Sequence, residues 1–157
     1  MNGVHLRTLP LGNRDGLTKM PLGRRLIAEQ GLRAEFQQGD AFDRALLAAL
    51  QPNPTISIVS GLFELFPDND PVRATLQGLA GAMEPGGCLV YTGQPWHPQI
   101  EFIARTLTSH RAGAPWVMRR RTQEELDELV RMAGFRKLEQ RIDPEGLFTV
   151  TLAERAE

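Results

Sequence analysis

Residues 55–92 read TISIVSGLFELFPDNDPVRATLQGLAGAMEPGGCLVYT, and their pattern decides the fold. Thr55-Ile56-Ser57-Ile58-Val59 is β-branched and mostly apolar, which predicts a strand covered on both faces. Pro71 to Met83 places Val72, Leu76, Leu79 and Met83 at helical spacing. Pro71 suits a first turn and Asp70 is placed to cap it. Glu84-Pro85-Gly86-Gly87 is a turn, and Cys88-Leu89-Val90-Tyr91-Thr92 is a second buried strand. Strand, helix and strand in this order argue for a parallel pair.

The flanks extend the alternation. Ala34 to Gln38 reads as a weak strand ending at Gly39-Asp40-Ala41-Phe42-Asp43. A short helix over 43–50 follows, capped by Asp43, with Leu46, Leu47 and Leu50 on one face. Gly23 to Gln30 reads as the end of an amphipathic helix stopped by Gly31. Val4 to Leu9 reads as a short strand, after which Pro10, Gly12, Gly16 and Pro21 break longer elements. Downstream, Gln99 to His110 is a helix with Ile100, Ile103, Ala104 and Leu107 as its face. Thr122 to Ala133 is another, with a capping box from Thr122 to Glu125 and a stop at Gly134. Arg136–Ile142 and Leu147–Ala153, linked by Asp143-Pro144-Glu145-Gly146, read as an antiparallel hairpin. The whole predicts an α/β domain with an open, mostly parallel sheet and a C-terminal antiparallel hairpin.

Composition narrows the function classes. At 157 residues the chain has the size of one domain. A net charge of -1 gives no bulk basic field for nucleic acid. The single cysteine, Cys88, excludes an internal disulfide framework and reads as an inert core residue. Three histidines with one cysteine show no metal-ligand spacing, so no metal is expected. No apolar run approaches the roughly 18 residues of a membrane span. The first residues lack the layout of a secretory signal, so the expected compartment is the cytoplasm, with no membrane partner.

Several stretches, in this order, resemble class I S-adenosylmethionine-dependent methyltransferases. Gly39-Asp40-Ala41-Phe42-Asp43 looks like the acidic loop after the third strand of that Rossmann-like fold. Thr55–Val59 with Ser60-Gly61-Leu62 looks like the fourth strand and its loop. Glu84-Pro85-Gly86-Gly87 looks like the turn into the fifth strand, and Ala133-Gly134-Phe135 like the late turn before the terminal hairpin. The runs Gly93 to Gln99, Trp116 to Gln123 and Phe148 to Ala153 are similar to a bacterial methyltransferase family of unsettled substrate. Its members are sometimes fused to an α/β-hydrolase domain. That fold opens with a strand, a Gly-x-Gly-x-Gly loop and a helix, and no such glycine spacing occurs in this chain. Residues 1–157 are therefore expected to form a single, N-terminally incomplete domain, with residues 1–21 poorly defined. A partner chain or fused domain would supply the absent first strand.

The resemblance implies S-adenosylmethionine as cofactor and a small molecule as methyl acceptor. Asp40, Ala41 and Phe42 would frame the adenine, since a carboxylate accepts from its amino group. Ser60, Gly61 and Leu62 would line the cofactor cleft, and Asp15 would hold the ribose. Gln94-Pro95-Trp96-His97-Pro98-Gln99 follows a strand's carboxyl end, where open α/β sheets bind ligands. Gln94, Trp96 and Arg119 are the candidate acceptor contacts, and His97 is the candidate base. Each has a plainer reading: Asp40 as a helix-capping turn residue, Trp96 as core, and Arg119-Arg120-Arg121 as solvated charges paired with Glu124, Glu125 and Asp127. Glu64 and Asp68 read equally as loop solvation or substrate contacts. The alternative to an enzyme is a non-catalytic remnant that keeps the sheet and serves as an interaction module.

Overall fold

The computed structural model describes residues 6–8, 24–26, 28–31, 34–36, 39–106 and 119–157. Expectations resting on His5, Asp15, Leu107, His110 and Trp116 lie outside the described residues, as do the strand ends at 37–38. Strands β1 (Leu6–Thr8) and β2 (Ala34–Phe36) pair in parallel. A second sheet holds β3 (Ile56–Val59), β4 (Cys88–Gly93), β5 (Phe135–Ile142) and β6 (Thr149–Arg155) in the order β3-β4-β6-β5. β3 and β4 are parallel, with Ile56 opposite Cys88 and Val59 opposite Tyr91. β6 runs antiparallel to both β4 and β5. The α/β architecture is thus parallel at the start and antiparallel at the end. The expected hairpin forms, and its second strand lies between β4 and β5.

Local chemistry sets the helices. In α1 (Arg44–Ala48) the Asp43 carboxylate accepts from the N–H groups of Ala45 and Leu46, the expected cap. In α4 (Gln123–Met132) the Thr122 hydroxyl accepts from the Glu125 N–H, and Gly134 follows with φ 92°. α3 spans Ile100–Thr106. α2 spans Asn69–Ala82 and so begins two residues before Pro71. Asp70 is not its cap: Asp68 holds that position without a side-chain bond, and Asp70 pairs with Arg73. The cause is tertiary. Arg121 grips the Asp68 carbonyl and the Asn69 side chain, fixing the helix start from outside.

The core lies on one face of the four-stranded sheet. Val59, Leu89, Tyr91 and Ala153 meet Val72, Leu76 and Leu79 of α2 and Leu126, Leu129 and Val130 of α4. Burying each such side chain stabilises by about 1.5–3 kcal/mol. Gly78 lets α1 and α2 approach closely, because a Cβ there would stand 2.7 Å from the Leu47 Cβ.

The other face departs from expectation. Ile56 and Ile58 are 63% and 66% exposed, so β3 is covered on one face only. The described helices α2 and α4 pack on the opposite side, and α3 buries no residue. The alternation of β4 also turns Cys88 to the open face, where it is half-buried rather than a core residue.

Candidate active site

The carboxyl ends of β3 and β4 lie side by side, and the loops that leave them make the site. After β3 the chain turns at Gly61, whose φ of 66° is a left-handed conformation that glycine adopts without strain. The Gly61 N–H donates to the Thr92 hydroxyl of β4 at 2.9 Å, which locks the two strand ends together. A single 3-10 turn, Phe63–Leu65, follows. Phe63 enters the core and Leu62 packs against it, while Ser60 stays exposed.

That turn buries Glu64 to 8% exposure. Its Oε1 is 3.9 Å from where a Gly61 Cβ would stand, and its Oε2 is buried with no hydrogen-bond partner. Burial raises its pKa above the ordinary glutamate value, against its own backbone N–H and the charges of Arg120 and Arg121.

Of the arginine triplet only Arg119 is an exposed charge paired as the plainer reading expects. Arg121 is 5% exposed and donates to the carbonyls of Phe63 (2.6 Å), Phe66 (2.9 Å) and Asp68 (2.8 Å) and to the Asn69 Oδ1 (2.7 Å). Arg120 donates to the Oε1 of the buried Gln94. Arg119 pairs with Glu125 and donates to the Pro67 carbonyl at 3.0 Å. Between Phe63, Glu64, Thr92, Gln94, Leu126 and the Arg119 and Arg121 side chains lies a cavity of about 10 Å³, room for about one water.

The remaining predicted residues take these places. Trp96 stands 57% exposed on the loop after β4 rather than in the core. His97 beside it is half-buried, and its Nδ1 accepts from the Gln99 N–H at 3.1 Å. A neutral imidazole so engaged carries its proton on Nε2, which is then a donor. Asp40 is exposed, and its Oδ1 accepts from the Phe42 N–H at 2.9 Å. Ala41 is buried, and its carbonyl accepts from the Thr75 hydroxyl of α2 at 2.7 Å. The Phe42 ring meets Phe66 edge-on at 4.3 Å, joining the loop after β2 to the loop after β3. The structure thus brings Gly61, Leu62, Gln94 and Arg119 to one region and ties Phe42 to it.

Sequence reading left Glu64 undecided. Its signal in the sequence is its place, five residues past the end of an apolar strand. A larger depression of about 580 Å³ lies along α4 and the start of β5. Most of its charges are paired within the chain, Arg131 with Glu128, Lys137 with Asp127 and Arg136 with Glu154.

The pattern of a family described as "putative methyltransferase" matches residues 16–155. The chain belongs to this family. Uncharacterized protein YnbC of Escherichia coli strain K12 is 60% identical over 135 residues, which is 85% of this chain and 23% of that protein. The chain therefore spans about a quarter of the length of this curated relative. A solved protein of Bordetella parapertussis, described as a possible exported protein, has a TM-score of 0.72 at 20% identity, over 98% of this chain and 54% of its own. An S-adenosylmethionine-dependent methyltransferase of Methanosarcina mazei has 0.69 at 16% identity, over 98% and 83%. These likenesses show a class I methyltransferase fold. Among the described residues, no helix is long and apolar enough to cross a membrane.

Proposed function

We propose that the chain serves S-adenosylmethionine-dependent methyl transfer to a small molecule. The observation that carries this reading is the meeting of Gly61, Thr92, Glu64 and Gln94 at the carboxyl ends of parallel β3 and β4, in a chain of a methyltransferase family.

The donor's adenine end fits the residues present. The Asx turn of Asp40 uses one carboxylate oxygen on the Phe42 N–H and leaves the other for an exocyclic amine. Ala41 and Phe42 frame that position, with the Phe66 edge supporting the Phe42 ring. Ser60, Gly61 and Leu62 line the next part of the cleft. When bound, the donor supplies an electrophilic methyl group on a sulfonium. The chain's task is then to hold the acceptor close and in line. Gln94, Trp96 and Arg119 meet the acceptor. His97, the base of the sequence reading, orients it through its Nε2–H. Among the described residues β3 pairs with β4 alone, and its other edge carries no charge from Thr55 to Ser60, which suits a strand from a partner chain or fused domain.

Calorimetry of the 157-residue chain with S-adenosylmethionine is the test. Binding is expected, and Asp40→Ala should weaken it about tenfold or more. No heat and no thermal shift at about millimolar cofactor would refute the reading. Equal affinity in the variant would reject the adenine contact. The exposed Ile56, Ile58 and Val150 favour a second reading, an interaction module without catalysis. The absence of cofactor binding would select it.

A further inference from the structure

We propose that Glu64 is the proton-accepting carboxylate of the transfer site, so that the methyl acceptor is a molecule attacked at an O–H or N–H group. This inference rests on the methyl-transfer reading above. Four features of the structure converge on it.

The first is place. Glu64 sits in the turn immediately beyond the β3 carboxyl end, beside the left-handed Gly61. The second is valence. Its Oε2 is buried without a partner, although a buried carboxylate oxygen is normally hydrogen-bonded. The third is room. The cavity it borders, about 10 Å³, admits one group no larger than a water or hydroxyl, and it is bounded by Thr92 and Gln94 at the end of β4, by Leu126 of α4 and by Arg119 and Arg121. The fourth is the state of its charged neighbours. Arg121 is spent on backbone carbonyls, Arg120 bonds Gln94, and Arg119 pairs with Glu125. These guanidinium groups bias the site positively, yet the described ion pairs of the chain do not include Glu64. Burial moves its titration upward, the direction a base working near neutral pH requires.

The lone pair of the acceptor oxygen or nitrogen forms the new bond to the methyl carbon. The carbon–sulfur bond of the S-methyl sulfonium donor breaks, and its pair stays on sulfur as a neutral thioether. The acceptor's proton moves to Glu64 Oε2, and the carboxylic acid later releases it to solvent. His97 is less suited to this step, because its Nδ1 is engaged by the Gln99 N–H and its neutral Nε2 already carries a hydrogen.

The test uses the sulfonium charge as its probe. The full chain is labelled with ¹³C at glutamate carboxyl carbons, and the Glu64 resonance is identified by its absence in Glu64→Gln. Its titration is followed with S-adenosylmethionine and with the neutral thioether S-adenosylhomocysteine, both shown bound by calorimetry. A carboxylate facing the reacting sulfur should titrate lower beside the cation, by about half a pH unit or more. Its midpoint without ligand should lie above the ordinary glutamate value of 4.5. Equal midpoints with both ligands bound would overturn the assignment and leave the methyl-transfer reading standing. An ordinary midpoint without ligand would overturn it as well. If neither ligand binds the wild-type chain, the methyl-transfer reading fails and the role of Glu64 falls with it.

Discussion

Arg121→Met replaces the buried guanidinium that straps the loop after β3. In the wild type, four strong donations reach the Phe63, Phe66 and Asp68 carbonyls and the Asn69 side chain. A hydrogen bond from a charged donor contributes about 1.5–3 kcal/mol. Four of them give a gross figure of about 6–12 kcal/mol. The net loss is smaller: the four act as one unit, the carbonyls of an outer loop regain water, and removing the guanidinium also relieves its desolvation. Burial does press the Arg121 pKa downward, the mark of that cost. Methionine fills similar volume but leaves the Phe63 carbonyl and the start of α2 unheld. A net loss of about 3–4 kcal/mol follows, a large share of the about 5–15 kcal/mol that holds a domain together. For a chain of this length that is a fall of about 6–16 °C in melting temperature. Guanidinium unfolding of both proteins, followed by circular dichroism, measures it. A loss below about 1 kcal/mol would show that the loop holds itself, and the strap would be refuted.

Two further outcomes concern stability. Gly78→Ala gains about 1 kcal/mol of helix propensity but drives a methyl into the Leu47 Cβ at 2.7 Å and the Arg44 carbonyl at 3.0 Å. A net loss of about 1–2 kcal/mol is expected in denaturant titration, whereas Gly81→Ala, facing Ala48 at 3.3 Å, should be nearly neutral. A neutral Gly78→Ala would mean that α1 and α2 are less closely packed. The raised pKa of Glu64 gives the second outcome. Below the ordinary glutamate value both folded and unfolded chains hold the proton, and the site costs nothing. As pH rises from there through the raised folded value, the folded chain loses stability, and above it the cost is constant. Glu64→Gln lacks this cost, so its stability relative to wild type should grow with pH and then level off. Unfolding curves from about pH 4 to pH 9 that stay parallel would contradict the burial effect.

The strands and caps were legible because they are local. Ile56 to Val59, the Asp43 and Thr122 caps and the final hairpin each follow from a few adjacent residues. What packs on a strand is not local. The apolar run of β3 predicts two covered faces, but coverage depends on which helices arrive, and α2 and α4 arrive on the same side. The same limit applies at the candidate site. Arg121 looks like its two neighbours in sequence, and only carbonyls more than fifty residues away make it a strap. His97 looks like a base until the Gln99 N–H is seen to occupy its Nδ1.

The placement of β6 between β4 and β5 sets an order of events during synthesis. β5 leaves the ribosome before β6, yet its described sheet partner is β6 alone. Phe135 can already pack on α4, but the backbone of β5 has no described sheet partner until the following strand has been made. Closure then pairs residues as distant as Cys88 and Glu154, a slow step for a growing chain. In that interval the nascent protein exposes strand edges that the finished sheet hides, the condition that favours aggregation over folding.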